Sequence, residues 1–398
     1  MRLASVLATV PYYRTANRVR VWGRLPFRRG PTIVVANHQH DLDSPVLTGW
    51  FDFCGPWRDP VFAVAGRRMF EPGFLAPQFP WLAPALRRVN LSPLFRALGL
   101  VPIENELASR AISSFAWIVR ERYGNLAMRE VFEQSALDRS GLGDARLADV
   151  LSAGNFRAGR TYVKVREVRE PYRSEIARQT RARVDADLAQ IEELVRGGAT
   201  FHLTAEGRFT PDGRLGRFRH AFFRLAPLAD VYLSAVSYDP FRSTRLPMLV
   251  RIVGPVGASD ARLRLAAARP VVVSQLLGEY LLPAPPSFGR DEVAASVAAG
   301  VRALPHTLFV DPDLAHDPER VVDEALRTLV RLRILRRDGD GYRLGERRSH
   351  PRFPLAADMI AFQAAFFSET LDADRRLRGG APPDGGGKTP GTEIVTSA

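Results

Sequence analysis

The stretch Thr32–Val46, TIVVANHQHDLDSPV, decides the predicted fold. A short apolar run breaks at Asn37 into a polar cluster, and Asp43–Pro45 then opens a new apolar segment. Aspartate or serine can cap the first turn of a helix, and proline suits its first position because the missing N–H would have no partner there. The stretch therefore predicts a buried strand, a polar loop and a helix start. Polar residues at the carboxyl end of a strand predict a ligand site in an α/β sheet.

His38 and Asp43 are the candidate catalytic pair within this loop. On one continuous helix, a separation of five residues would turn the two side chains about 140° apart. They can therefore meet only across a loop with Asp43 at the helix entrance, and the capping signals predict that arrangement independently. An alcohol hydroxyl is a poor nucleophile at neutral pH, and a histidine base held by a carboxylate would activate it.

Asn37–Asp43 also fits the pattern NHxxxxD. The segment resembles the first motif of the glycerolipid acyltransferase family, the glycerol-3-phosphate and lysophosphatidate acyltransferases. The resemblance implies that His38 is the general base for an acceptor hydroxyl and that Asp43 orients it. Leu98–Ile103 resembles the strand before the second motif, but Glu104-Asn105 stands where the family has an arginine for the acceptor's phosphate. This departure leaves the identity of the acceptor open.

Thr204–Phe209 resembles the third motif of the same family, in which a Glu-Gly pair follows a strand and an arginine lies nearby. The resemblance implies that Glu206, Gly207 and Arg208 bind substrate. Arg208 follows the glycine directly, whereas the family has a threonine between them.

Two further arginines, Arg217 and Arg219, precede a predicted short helix at 221–226, as a basic residue does in the family. The resemblance implies that they bind phosphates of coenzyme A or of a lipid headgroup; a solvated basic face is the competing interpretation. Val231–Val236 falls at the place of the fourth motif, with Ser234 where the family has a proline.

Hydrophobic patterning extends the fold prediction along the chain. Further buried strands are predicted at 60–66, 199–203, 231–236 and 248–253. With helices between and after them, the predicted class is α/β, an acyltransferase-type mixed sheet flanked by helices.

The predicted domain organisation has three parts. Residues 1–285 form an acyltransferase domain with a helical insert at about 106–198. Residues 290–372 are predicted to form a small winged-helix-like C-terminal domain, because a helix at about 318–333 precedes a hairpin with an Asp-Gly turn. Residues 373–398 are predicted to be a disordered tail.

Composition bears on partners and compartment. The 398-residue chain has a net charge of +13, carried almost wholly by arginine, which suits phosphate in nucleic acid, lipid headgroups or coenzyme A. The lone cysteine, Cys54, allows no internal disulfide and favours a reducing cytoplasmic compartment.

No apolar run approaches the roughly 20 residues that span a bilayer. Residues 1–30 mix apolar, aromatic and arginine side chains, which fits either an anionic membrane surface or an edge strand.

A metal site is the alternative chemistry for the same loop. The spacing of His38, His40, Asp41 and Asp43 resembles the start of the metallohydrolase pattern HxHxDH. That pattern needs aspartate and histidine at positions 42 and 43, where this chain has leucine and aspartate, and no cysteine cluster assists. We therefore predict no metal and no cofactor beyond an acyl thioester co-substrate.

The predicted function is that of an O-acyltransferase, similar to 1-acylglycerol-3-phosphate O-acyltransferases. It would move a fatty acyl group from acyl-CoA or acyl carrier protein to a hydroxyl of a glycerolipid or similar lipid acceptor. The predicted location is cytoplasmic, with a peripheral position on an anionic membrane surface as a further expectation. Nucleic acid is disfavoured as a partner because the helix at 318–333 carries acidic residues beside its arginines. The alternative is a non-catalytic basic DNA- or membrane-binding protein on a degenerate acyltransferase scaffold.

Overall fold

The structure is a computed structural model, and it describes residues 17–24, 30–40, 43–54, 61–70, 72, 82–86, 88–104, 109–152, 154–155, 158–207, 210–283, 286–353 and 355–379. Several predictions lie outside these residues, namely those on residues 1–16, Asp41 and Arg208 and on the part of the predicted tail beyond residue 379. Residues 373–378 of the predicted tail are helical, because the C-terminal helix Met359–Arg378 continues through them. The chain divides into two compact units, one of residues 1–64, 96–100 and 192–398 and one of residues 65–95 and 101–191.

A mostly parallel mixed sheet flanked by helices organises the fold, which confirms the predicted α/β class. The described strands are β1 (Asn17–Trp22), β2 (Thr32–Ala36), β3 (Val61–Gly66), β4 (Leu100–Ile103), β5 (Ser109–Ala111), β6 (Tyr162–Lys164), β7 (Thr200–Thr204), β8 (Asp230–Tyr238), β9 (Leu246–Val256), β10 (Leu335–Asp338) and β11 (Gly341–Leu344).

Seven of these described strands form the central sheet, in the order β1-β9-β8-β2-β7-β3-β4. β2 is central and runs parallel to both β7 and β8, whereas β8 and β9 are antiparallel. All five residues of β2 are buried, as expected for a strand with a neighbour on each side and helices on its faces. β1 runs parallel to β9 at one edge, which agrees with the edge-strand interpretation of residues 17–22.

The helices lie between and after the strands. They are α1 (Asp43–Cys54), α2 (Ala83–Leu86), α3 (Ser92–Ala97), α4 (Ile112–Tyr123), α5 (Met128–Val131), α6 (Gln134–Ser140), α7 (Leu147–Val150), α8 (Tyr172–Arg196), α9 (His220–Leu225), α10 (Ala261–Ala268), α11 (Val273–Leu281), α12 (Arg290–Ala303), α13 (Pro312–His316), α14 (Pro318–Arg331) and α15 (Met359–Arg378). Within the described ranges, no helix is both long and apolar enough to cross a lipid bilayer.

The C-terminal helices belong to the same compact unit as β2, β7 and β8. α15 packs against α10 and α11, and Gly278 permits the close approach because a Cβ there would lie 2.8 Å from the backbone nitrogen of Ala364. The predicted helix at 318–333 and its Asp-Gly hairpin are present as α14 and β10–β11, which confirms these elements. The predicted boundary near residue 285 stays a prediction.

The second unit has a core of its own. Helices α4 to α7 surround buried apolar side chains that include Phe115, Val119 and Phe132. Ion pairs add to this unit, because Arg67 binds Asp187 and Arg110 binds Glu104. The unit contains most of the segment predicted as a helical insert.

Candidate active site

The loop between β2 and α1 places His38 beside Asp43. β2 ends at Ala36 and α1 begins at Asp43, whose backbone N–H donates to the carbonyl of His40 at 2.9 Å. The imidazole Nδ1 of His38 lies 3.3 Å from Oδ2 of Asp43, at the long end of the hydrogen-bond range. The His38 side chain is 16% exposed, and that of Asp43 is fully buried. The structure therefore brings these two predicted site residues together across the loop.

Asp43 is held by donors from three other residues. Its Oδ2 accepts the backbone N–H groups of Gln39 at 2.6 Å and of His40 at 2.8 Å. Its Oδ1 accepts a short hydrogen bond from the phenol of Tyr238, the last residue of β8. A buried carboxylate with these partners has a defined orientation, so it can orient His38 in turn.

Asn37 continues the pairing of β2 with β8 after β2 has ended. Its Nδ2 donates to the carbonyl of Val236 at 2.9 Å, and its Oδ1 accepts the N–H of Val236 at 2.7 Å. The buried side chain thus replaces a backbone partner in the sheet. The backbone can therefore leave the sheet just before His38 without losing its hydrogen bonds to β8.

Glu206 joins two segments of backbone at the end of β7. Its Oε1 accepts the N–H of His38 at 2.9 Å, and its Oε2 accepts the N–H of Gly216 at 2.5 Å. Burial raises the pKa of this carboxyl, and the two backbone hydrogen bonds partly oppose that rise. Glu206 therefore fixes the backbone that carries His38, and the substrate-binding role predicted for it stays a prediction.

The remaining predicted site residues lie around the turn after β7. Gly207 has a φ of +67°, which favours glycine, and its N–H donates to the carbonyl of Thr204. Arg219 packs beside Gly207 and donates through Nε to the carbonyl of Glu206 at 3.0 Å. Arg217 is exposed. The structure thus brings Gly207, Glu206 and Arg219 together, and the predicted binding of phosphate by either arginine stays a prediction.

A second buried histidine, His202, lies on β7 beside Val34 of β2. Its Nδ1 lies 3.1 Å from the hydroxyl of Thr48 in α1, and its Nε2 has no hydrogen-bond partner among the described residues. Burial lowers its pKa to about 4, so the ring is neutral at pH 7. The sequence signal for this residue was a histidine inside an otherwise apolar predicted strand.

A narrow pocket opens beside His38. Its walls include Asn37, His38, Gln39, Glu206, Arg269 and Phe366. Its volume of about 10 Å³ is roughly what one water molecule requires. A water molecule or a hydroxyl-sized group therefore fits there.

Arg269 places a buried positive charge in the wall of this pocket. Its guanidinium is 3.0 Å from Oε2 of Glu369 and lies over the ring of Phe366, 3.9 Å from the ring centre. Burial lowers the pKa of Arg269, and Glu369 opposes that shift. Tyr238 and Arg269 were not among the predicted site residues, since nothing local distinguishes them from other tyrosines and arginines of the chain.

Neither a family model nor a curated protein matches this sequence. Assignment of a function therefore depends on the residues and their geometry. Among the described residues, no three or more histidine, cysteine, aspartate or glutamate side chains are grouped as metal ligands would be. The expectation that the chain needs no metal stays a prediction.

Proposed function

We propose that this chain is an O-acyltransferase that moves a fatty acyl group from acyl-CoA or acyl carrier protein to a hydroxyl of a glycerolipid or similar lipid. The proposal includes membership of the glycerolipid acyltransferase family and a cytoplasmic, peripheral position. The observation that carries it is the contact between Nδ1 of His38 and Oδ2 of Asp43 across the loop from β2 to α1. This contact, with the donors that hold Asp43, supports a general base aimed by a buried carboxylate.

The proposed reaction uses the two nitrogens of His38 differently. With Nδ1–H directed at Asp43, Nε2 takes the proton of the acceptor hydroxyl while the hydroxyl oxygen attacks the thioester carbonyl. The tetrahedral intermediate then expels the thiolate as the C–S bond breaks, and the thiolate receives the proton from the imidazolium. Asp43 stabilises the imidazolium between these steps. A base in such a position contributes roughly 10²- to 10⁴-fold to the rate.

Three backbone N–H groups of the loop are not available as donors for the oxyanion. The N–H groups of His38, Gln39 and His40 already donate to Glu206 and Asp43. Donors must therefore come from other groups, and the first-turn amides of α1 follow Asp43 directly. A single oxyanion donor can contribute about 3 to 4 kcal/mol to the transition state.

The proposed acceptor is a lipid hydroxyl for which phosphate is not required. Where the family has a phosphate-binding arginine, this chain has Glu104-Asn105, and the carboxylate of Glu104 binds Arg110 at 2.8 Å. The missing arginine supports a neutral or zwitterionic acceptor as well as a phosphorylated one. The pocket beside His38 admits a group the size of a hydroxyl.

The proposal is tested directly by incubating the protein with labelled acyl-CoA or labelled acyl-loaded acyl carrier protein and a panel of lipid acceptors. We expect the purified full-length chain to acylate at least one acceptor and His38→Ala to lose that activity by about 10²-fold or more. His306→Ala is the matched control, because His306 is exposed on the protein surface. Full activity of His38→Ala, or no product with any acceptor, would refute the proposal.

We also propose that α12, α14 and the β10–β11 hairpin have a winged-helix-like arrangement used for packing. The apolar face of α14 is buried through residues such as Val322, Ala325 and Leu329. Its acidic residues are occupied by arginines, since Asp323 binds Arg290 and Glu324 binds Arg242 and Arg320. A helix that is neutralised in this way supports packing rather than insertion into a DNA groove.

A further inference from the structure

An arginine occupies a backbone position that favours glycine at the end of α14. The N–H of Arg333 donates to the carbonyl of Val330, and that of Ile334 donates to the carbonyl of Leu329. This is the Schellman arrangement, in which the residue after the cap has positive φ and is usually glycine. Arg333 has a φ of +62°, and it is the sole non-glycine residue with positive φ in the described part of the chain. A left-handed backbone conformation has a steric cost for a residue with a Cβ, so this position is a candidate for a functional use of the arginine side chain.

The hairpin that follows contains an unfavourable arrangement of charges. Arg336 on β10 lies directly opposite Arg343 on β11, and both are exposed. Like charges in directly opposed positions destabilise a strand pair. Glu346 binds Arg336 at 3.3 Å, but Arg333 and Arg343 have no ion pair with any described residue. An anionic partner would relieve the repulsion between Arg336 and Arg343.

Arg331 and Arg347 flank this hairpin and are exposed as well. We call Arg331, Arg333, Arg336, Arg343 and Arg347 the arginine surface. The acidic residues of the same segment are few: Asp338 and Asp340 lie at the hairpin turn, and Glu346 is the partner of Arg336. The segment therefore keeps an excess of positive charge after these acids are counted.

The chain leads from the arginine surface to the His38–Asp43 loop. After Arg347 it forms a turn in which the N–H of Phe353 donates to the carbonyl of His350. The ring of Phe353 lies 5.7 Å from that of His40 and 5.8 Å from that of Tyr238. The segment that follows Arg347 therefore connects the arginine surface to Phe353, a side chain that contacts the loop holding His38.

We propose that the arginine surface docks on an anionic phospholipid bilayer. One guanidinium group can donate two parallel hydrogen bonds to the oxygens of a phosphate. A planar layer of headgroups can contact several arginines at once and needs no groove of defined shape. A nucleic acid is the less favoured partner, because one face of α14 is buried in the protein and its acidic residues oppose insertion into a DNA groove. The choice of a lipid partner rests on the proposed function, whose acceptor is itself a lipid.

Vesicle sedimentation with the full-length chain tests this docking. The vesicles would be pure phosphatidylcholine or an equal mixture of phosphatidylcholine and phosphatidylglycerol. We expect binding to the anionic vesicles only, with weakening as salt is raised. Each arginine removed should weaken binding about fivefold, so a triple variant R333G/R336Q/R343Q should lose on the order of a hundredfold.

The control removes the same amount of charge elsewhere. Arg129, Arg181 and Arg183 are exposed in the second unit, and their triple replacement by glutamine should weaken binding far less than the hairpin triple. Thermal unfolding of both triples would show that each is folded. Equal weakening by the two triples would overturn the proposal, since it would indicate a net-charge effect without a defined surface.

Two further measurements separate this inference from the proposed function. His38→Ala should bind the anionic vesicles as wild type does, because docking does not use the base. If the vesicles bind and no acceptor is acylated, the proposed function fails and the docking stands. If a detergent-dispersed acceptor is acylated and no vesicle binds, the docking fails and the function stands. Tighter binding of duplex DNA than of anionic vesicles, lost in the hairpin triple, would overturn the lipid assignment in favour of nucleic acid.

Discussion

Replacement of Asp43 by asparagine removes the charge beside His38 and keeps the shape of the side chain. Oδ2 of Asp43 faces two backbone donors and Nδ1 of His38, whereas Oδ1 faces the hydroxyl of Tyr238. An amide NH₂ cannot face two N–H donors, so the asparagine oxygen must take the place of Oδ2. The NH₂ then takes the place of Oδ1, where the Tyr238 hydroxyl can accept its hydrogen bond. The loop and the orientation of His38 should therefore survive the substitution.

The expected loss of activity follows from the missing charge. A unit charge about 4 Å from another is worth about 4 kcal/mol at the effective dielectric constant of a partly buried site. The imidazolium is only partly formed in the transition state, so we take about half of this value, about 2 kcal/mol. That corresponds to a fall in kcat of roughly 30-fold, with KM nearly unchanged.

The assay is the initial rate of acyl transfer by Asp43→Asn, with Asp291→Asn as the matched control because the Asp291 side chain is 90% exposed. The double variant Asp43→Asn/Tyr238→Phe adds a second test. It leaves the asparagine NH₂ without its acceptor, but the bond lost there is neutral, whereas Tyr238→Phe alone removes a donor to a carboxylate. The double variant should therefore lose less stability than the two single variants predict by addition. A kcat of Asp43→Asn equal to that of wild type, in a folded protein, would refute the orienting role of Asp43.

Three further predictions concern stability, each measured by urea unfolding. Tyr238→Phe removes a donor to a buried carboxylate and should lower the free energy of unfolding by about 1.5 to 3 kcal/mol; no loss would mean that the short bond to Asp43 is not made. His202 has its pKa lowered to about 4, so it binds a proton in the unfolded chain before it does in the folded one. It should therefore remove about 3 kcal/mol of stability as the pH falls from about 6.5 to about 4, and His202→Asn should lack this part of the pH dependence. Arg333→Gly should raise the free energy of unfolding by about 1 kcal/mol, because glycine adopts positive φ without steric cost; a decrease would indicate that the arginine side chain stabilises the fold.

The elements around His38 could be predicted because their signals are local. An apolar run, a polar break and a cap with proline mark the strand, the loop and the helix start, and α1 begins at Asp43, one of the two predicted capping residues. The contact between His38 and Asp43 could be predicted from that loop alone. In the same way, the helix before the Asp-Gly turn and the hairpin itself were recognisable from residues next to one another in sequence.

The contacts that hold the site could not be predicted, because they join distant parts of the chain. Tyr238 reaches Asp43 across 195 residues of sequence, and Glu206 reaches the backbone of His38 across 168. Both contacts exist because β2 lies between β7 and β8, an order that depends on tertiary packing. Arg269 is 1% exposed, although a basic chain gives no reason to expect burial of that arginine rather than another.

The conformation of the loop between β2 and α1 depends on the carboxylates of Glu206 and Asp43. Three consecutive backbone amides, those of residues 38, 39 and 40, donate to Glu206 or Asp43. Amides turned towards anions in this way cannot pair with a strand, so the acids select the loop over an extension of β2. Glu206 therefore contributes to the position of His38 even if it never touches a substrate. Glu206 and His38 would then act as one structural unit, since the carboxylate of Glu206 anchors the backbone that carries the imidazole.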